Sequence, residues 1–201
     1  MTWSSVSVRL LESTATGDPL VVRLAQGEPA AVGEVYDLHH RAVRAFAARL
    51  LGDAAAAEDL VHEVFITLPK AIRRYRGDAS LRTFLISIAV NHARHHVRSA
   101  VRRRAAVERL GREPEPPHAV DPEHEARRRQ LAAQLTRALD AIPVDQRVAF
   151  VLCEVEERTS REAAAIVGVP EGTVRTRLMH AKRKLRELLA SEAGSEVGGE
   201  G

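Results

Sequence analysis

Between Lys70 and Arg104 the chain gathers ten basic side chains against one acid, Asp78, for a local sum of +9. Cations at that density contact phosphates, the sequence-independent part of nucleic-acid binding. Tyr75, Phe84 and His95, interleaved with them, carry flat rings on which unpaired bases can stack, at about 1 to 3 kcal/mol per base. Asn91, Arg94, His95 and Arg98 recur at helical steps and share one polar face. Residues 51–69 do the opposite, holding Asp53, Glu58, Asp59 and Glu63 and no Lys or Arg. One half of the chain therefore presents two surfaces of opposite sign. A basic segment is otherwise most often a solvated helix face; the rings, the polar face and a second signature downstream favour the binding reading.

That second signature starts with Thr159 and Glu162, which have the order of a capping box and would satisfy the free amides at a helix start. The short helix ends at Gly168, and in Gly168-Val169-Pro170 the glycine tolerates the turn while the proline opens the next helix. Ala164, Gly168 and Val174 are spaced as a helix-turn-helix requires. With Val174, Leu178, Ala181, Leu185 and Leu188 inward, Arg175, Thr176, Met179 and His180 turn towards solvent or a major groove. Lys182, Arg183, Lys184 and Arg186 follow as phosphate contacts. The plainer alternative is an ordinary helical hairpin in a bundle.

Other chemistries are poorly supplied. His92 and His96, four apart, could share a metal on one helical face, but that face carries Arg94 and Arg98 and no carboxylate, so no metal or other cofactor is expected. Catalytic triads, phosphate loops and dinucleotide fingerprints are absent from the sequence, and no enzymatic activity is expected. The single Cys153 rules out an intramolecular disulfide and reads as a core residue, which fits a reducing compartment. No apolar run reaches about 18 residues, and Met1 to Leu11 lacks the basic-then-apolar order of a signal peptide. The expectation is a cytoplasmic chain with no membrane insertion.

The elements that position these residues are helices. Only seven of 201 residues are aromatic, and Ala, Leu, Val, Arg and Glu dominate, an alphabet poor in strand formers. Val32, Val35, His39, Val43, Phe46 and Leu50 mark one apolar stripe; Ala57, Leu60, Val61, Val64, Phe65, Leu68 and Ile72 mark a second, with Pro69 as a kink or break; Leu81, Phe84, Leu85, Ile88 and Ala89 mark a third. Leu131, Leu135, Ala138 and Ile142, then Val148, Val151, Leu152 and Val155, place two more helices before the helix-turn-helix. From 105 to 125, prolines 114, 116, 117 and 122 sit among acids, a composition that cannot bury a core. The expected fold is all-α: a disordered arm (1–17), a first helical domain (18–104), a flexible acidic Pro-rich linker (105–125), a second domain containing the helix-turn-helix (126–190) and a disordered tail (191–201).

In this order the pieces resemble the bacterial sigma-factor family, in particular its extracytoplasmic-function group. Residues 57–65, Ala-Glu-Asp-Leu-Val-His-Glu-Val-Phe, look like the family's core-polymerase-binding helix. Residues 76–85 with Ile88-Ala89-Val90-Asn91 look like its promoter-melting segment, and 168–177 look like its upstream-element recognition helix. The resemblance implies a factor that binds core RNA polymerase, through its β and β′ subunits, and directs initiation at promoters. It also implies an anti-sigma protein that clamps between the two domains. Glu58, Asp59, His62 and Glu63 would meet the polymerase. Tyr75, Arg76, Ser80, Arg82, Phe84, Asn91, Arg94, His95 and Arg98 would hold the melted minus-ten element, and Thr173, Arg175, Thr176, Arg177, Met179, His180, Lys182 and Arg183 the minus-35 duplex. The linker would thread the template and RNA-exit path.

Two positions depart from the family pattern: His62 stands where Gln is common, and Ser160-Arg161 where an aromatic and an acidic residue are common. The rival reading is a stand-alone helix-turn-helix transcriptional regulator, which needs neither an acidic docking helix nor a ring-bearing basic surface.

Overall fold

The computed structural model describes residues 18–109 and 122–197. The expected arm, the middle of the expected linker and residues 198–201 lie outside the described residues. Eight helices are described: α1 (Pro19–Ala25), α2 (Pro29–Leu51), α3 (Ala54–Ala71), α4 (Leu81–Arg109), α5 (Pro122–Asp140), α6 (Val144–Phe150), α7 (Ser160–Val167) and α8 (Glu171–Val197). A 3₁₀ turn covers Ile72–Arg74 and a π-helical turn Val151–Val155.

Local chemistry sets most of the boundaries. Asp18 and Asp53 cap α1 and α3 by accepting the amides of Leu20 at 2.9 Å and Ala56 at 2.8 Å. Gly52 ends α2 in the left-handed region at φ 61°, its N–H returning to the Ala48 carbonyl. Pro69 neither breaks nor ends α3; it lies in the last turn, after which the chain tightens into the 3₁₀ turn.

Three helices run further than the composition suggested. α4 continues through 105–109, which are good helix formers, and α5 begins at Pro122, a residue favoured at a helix start. Both ends of the expected linker are therefore helical. α8 passes Leu189 and reaches Val197 across Gly194, so 191–197 of the expected tail are helical too; one interior glycine costs only about 1 kcal/mol.

The core of the first half is apolar. Val43, Phe46 and Leu50 of α2, Leu60, Val64 and Leu68 of α3, and Leu85, Ala89 and Ala93 of α4 are buried in one cluster, each large side chain contributing about 1.5 to 3 kcal/mol. That cluster does not stop at the end of the first half: Val148, Val151, Leu152, Ala163, Ile166 and Val174 belong to it, and α4 lies against α6 and α7. The two halves thus pack on one another.

A smaller cluster joins Ala138, Leu139 and Ile142 to Ala181 and Leu185. Leu131 and Leu135, expected inward, are 58% and 37% exposed, and Val155 is 40% exposed. The buried residues of α5 lie at its C-terminal end, so the upstream part of its stripe gains no cover.

An ion network crosses between the halves at the end of α5. Arg104 of α4 donates to Asp140 at the end of α5 through Nε at 2.7 Å and Nη2 at 2.5 Å, and to the Leu51 carbonyl at 2.7 Å. Arg147 of α6, fully buried, donates to the same carboxylate at 2.6 Å. Burial disfavours its cation and pulls its pKa below the usual arginine value, with Asp140 opposing. Removing charge from water costs about as much as such pairing returns, so the network fixes the position of Asp140 more than it stabilises the fold.

Candidate nucleic-acid interface and docking face

The basic face lies on α4. Phe84, Ser87, Asn91, Arg94, His95, Arg98 and Arg102 follow one another at helical steps, while Leu85, Ala89, Ala93, His96 and Ala100 point into the core. Asn91, Arg94, His95 and Arg98 are all exposed, as the polar face required. Ser80 starts the helix: its Oγ accepts the Thr83 amide at 3.2 Å and lies 2.9 Å from the Thr83 hydroxyl.

Before it, the Tyr75 hydroxyl donates to the Ala79 carbonyl at 2.6 Å, which folds the loop back on itself. Its ring tilts against Phe84 with centroids 5.0 Å apart. The two rings line a groove of about 170 Å³ together with Arg74, Arg76, Thr83 and Ser87, and Ala165 and Ile166 of α7 form its far wall. Burial raises the Tyr75 pKa, keeping the phenol neutral as a donor. Arg82 is the exception among the expected residues. It lies on the opposite side of α4, with its Nη2 3.9 Å from Glu156.

The second face lies on α8. The capping box of α7 is complete: the Thr159 N–H donates to Glu162 Oε2 at 2.8 Å, and the Glu162 N–H donates to Thr159 Oγ1 at 3.2 Å. The Thr159 N–H and hydroxyl, both donating to Glu162 Oε2 at 2.8 Å, hold the Glu162 carboxyl below its ordinary pKa. Gly168 adopts φ 71° and makes the turn. Val174, Ala181 and Leu185 are buried, whereas Arg175, Thr176, Met179 and Arg183 are exposed on the far side.

Several of these side chains are already oriented. Arg175 pairs with Glu171, Thr176 donates to the Gly172 carbonyl at 3.0 Å, and Arg183 lies 3.2 Å from the half-buried His180 ring. Lys182 reaches Glu154 at 3.0 Å, and Thr173 sits in the first turn with its N–H on the Pro170 carbonyl. Arg177 departs from the rest. It is turned inward onto Asp145 at 3.0 Å.

The acidic face lies on α3. Glu58, Asp59 and His62 are exposed, with Glu58 paired to Arg44 at 2.5 Å and Asp59 lying 3.9 Å from Arg103. Glu63 turns towards α4, where Oε2 lies 2.5 Å from His96 Nε2 and Oε1 3.1 Å from His92 Nδ1. The expected absence of a carboxylate near these histidines is thereby corrected, because α3 supplies one across the helix interface. The His96 hydrogen bond holds the Glu63 carboxyl below its usual range.

Two residues of these faces went unnoticed in the sequence. Ile66 is 69% exposed on the same side of α3 as Asp59 and His62; an isoleucine off the buried stripe was the available signal. Asp145 receives both Arg94 and Arg177, a contact between distant segments that spacing does not reveal. Cys153 is half-buried against the core with its thiol pKa raised by burial, which keeps it a poor nucleophile. Among the described residues no helix is long and apolar enough to cross a membrane.

Comparison with known proteins matches residues 35–103 to Sigma-70 region 2 and residues 132–185 to Sigma-70, region 4. The chain is 30% identical over 178 residues to the ECF RNA polymerase sigma factor SigC of Mycobacterium tuberculosis, covering 87% of this chain and 94% of that one. It is 28% identical over 177 residues to the ECF RNA polymerase sigma-E factor of Escherichia coli, covering 85% and 92%. Among solved structures it is similar to the sigma factor RpoE of Bartonella quintana, in complex with the anti-sigma factor NepR. There the TM-score is 0.53 and the identity 26%, over 79% of this chain and 96% of that one.

Proposed function

Since the chain belongs to the sigma-70 family, in its extracytoplasmic-function group, we infer that each of the three faces has one task in transcription initiation. The protein binds core RNA polymerase and directs promoter-specific initiation. It makes and breaks no bonds itself and contributes binding free energy to the polymerase in the cytoplasm. Residues 18–104 serve as the docking and melting unit, 105–125 as the connecting segment and 126–190 as the duplex anchor.

On α3, Glu58, Asp59, His62 and Glu63 meet a basic surface of the polymerase. Their charges speed and orient encounter more than they set affinity, and the exposed Ile66 among them adds apolar contact. On α4 and the loop before it, the Tyr75–Phe84 groove takes an unpaired base of the minus-ten element. Arg76, Ser80, Asn91, Arg94, His95 and Arg98 hold the strand around it. Splaying a base out of the duplex costs a few kcal/mol, which ring stacking at about 1 to 3 kcal/mol per base offsets. On α8, Arg175, Thr176, Met179 and His180 read base edges of the minus-35 duplex, and Thr173, Lys182 and Arg183 hold its backbone. An anti-sigma partner holds the protein inactive until a signal releases it.

The observation that carries this reading is the ring-lined groove beside a cationic stripe, on the same half of the chain as an exposed acidic face. In vitro transcription with core polymerase tests it. Asp59→Lys/Glu63→Lys abolishes start-specific transcripts while the chain still binds duplex DNA. An unchanged transcript yield from that variant contradicts the docking assignment.

A further inference from the structure

Glu63 is assigned to the polymerase, yet its carboxylate already has two partners. Oε2 lies 2.5 Å from His96 Nε2 and Oε1 3.1 Å from His92 Nδ1, both on α4. An ionised carboxylate only accepts hydrogen bonds, so each of those ring nitrogens carries a hydrogen. The other nitrogen of His92 lies 3.3 Å from the Thr67 hydroxyl, which fixes the ring from the same helix as Glu63. His96 is buried, and its ring stands edge-on to that of His95 with centroids 5.6 Å apart. The Glu63 side chain is itself 42% exposed, so a cation from outside can reach the carboxylate that the histidines hold from within.

The titratable groups acting on Glu63 are these three histidines of α4. Asp59, one turn earlier on α3, lies by Arg103 instead, and Arg44 of α2 reaches Glu58. Among the described residues no three of His, Cys, Asp and Glu are placed to hold a metal ion. The species this cluster is built to exchange is a proton.

We propose that His92 and His96 are positioning residues that couple polymerase docking to the release of a proton. The proposal rests on the docking reading of α3 and adds a linkage to it. With a proton on the pair, imidazolium and carboxylate cancel, and one of the docking acids presents no net charge. A basic surface of the polymerase and the imidazolium then compete for one carboxylate, and each cation disfavours the other. Docking expels the proton to solvent, and by reciprocity the proton weakens docking. Imidazole changes charge between about pH 5 and pH 8, which sets the sign: docking is weakest at the acid end of that range and tightens as pH rises. One proton released per complex means an affinity that climbs about tenfold per pH unit at the acid end. Once neutral, both rings still donate to Glu63 and keep its carboxylate in place for the polymerase.

The test uses the full-length chain and core polymerase. Calorimetry at about pH 6 in two buffers of different ionisation enthalpy counts the protons released, and competition binding from about pH 6 to pH 8 gives the affinity profile. His92→Gln/His96→Gln keeps amide donors beside Glu63 but cannot titrate. Wild type releases about one proton more than this variant, and its affinity rises about tenfold more between pH 6 and pH 7. Reading each variant against wild type cancels the polymerase's own titration. Glu63→Gln leaves both rings and removes their acceptor; its proton count does not depend on its affinity, and it loses most of the release. His62→Gln, which removes the exposed histidine of the docking face, keeps the release.

Release retained in Glu63→Gln, or lost only in His62→Gln, overturns the proposal. Should the double histidine variant fail to fold, His92→Gln alone, at the half-buried ring, loses part of the release, and an unchanged count there overturns it equally. The two readings fail differently. No binding of the wild-type chain to core polymerase rejects the docking assignment, whereas binding with equal proton counts in every variant rejects the coupling alone.

Discussion

The two faces proposed for DNA are built on helices of similar length, 29 residues in α4 and 27 in α8, yet they carry different chemistry. The α4 face begins at two rings that line a groove and continues as Asn91, Arg94, His95 and Arg98. The α8 face has no aromatic residue among its exposed readers, Arg175, Thr176 and Met179, and is flanked by Lys182 and Arg183. Rings beside a cationic stripe suit a base that has left its stack, whereas a convex polar stripe suits the edges of paired bases. On the proposed assignment, α4 takes the melted strand and α8 the duplex.

The largest effect expected from breaking this contrast is on the ring side. Tyr75→Ala/Phe84→Ala removes stacking of about 1 to 3 kcal/mol per base and lowers open-complex formation by up to about a hundredfold, with duplex binding by the C-terminal half unchanged. Permanganate reactivity of the minus-ten bases reads this loss directly. Next comes Arg175→Ala, which weakens minus-35 duplex binding by about 1 to 3 kcal/mol for a lost base contact and broadens its sequence preference. Competition against duplexes altered one pair at a time measures the change.

A smaller effect follows from the cap. Thr159→Ala breaks the capping box and destabilises α7 by about 1 kcal/mol, lowering the urea midpoint of the second half without touching the first face.

The smallest effect is electrostatic. Because His96 holds the Glu63 carboxyl below its ordinary pKa, this group stabilises the fold above the usual carboxylate pKa. The contribution is lost as pH falls through its depressed value. Partial exposure keeps the effect small, and Glu63→Gln flattens that acid limb in a pH series of chemical denaturation.

How legible each half was follows from what covers its helices. In the first half, α2, α3 and α4 cover one another, so the stripes read from Val43, Leu60 and Leu85 lie in the core, and the exposed face of Asn91 and Arg98 lies opposite them. In the second half, periodicity misled at Leu131 and Leu135, because what covers a helix is a tertiary fact. The buried residues of α5 are Ala138, Leu139 and Ile142, over α8. The capping box, Gly168 and Val174 were legible because their signals are local. Arg82 and Arg177 stand apart from the other expected contacts for the opposite reason, since Glu156 faces the one and Asp145 binds the other from distant segments. Arg147 gave no sign of burial, an arginine being ordinarily a surface residue.

The assignment of one face to melted and the other to paired DNA is tested most directly by comparing transcription from a fully paired promoter with transcription from the same promoter carrying a pre-opened bubble at the minus-ten element. The bubble restores most of the activity of Tyr75→Ala/Phe84→Ala and little of that of Arg175→Ala. Equal rescue of both variants, or rescue of Arg175→Ala alone, contradicts the assignment.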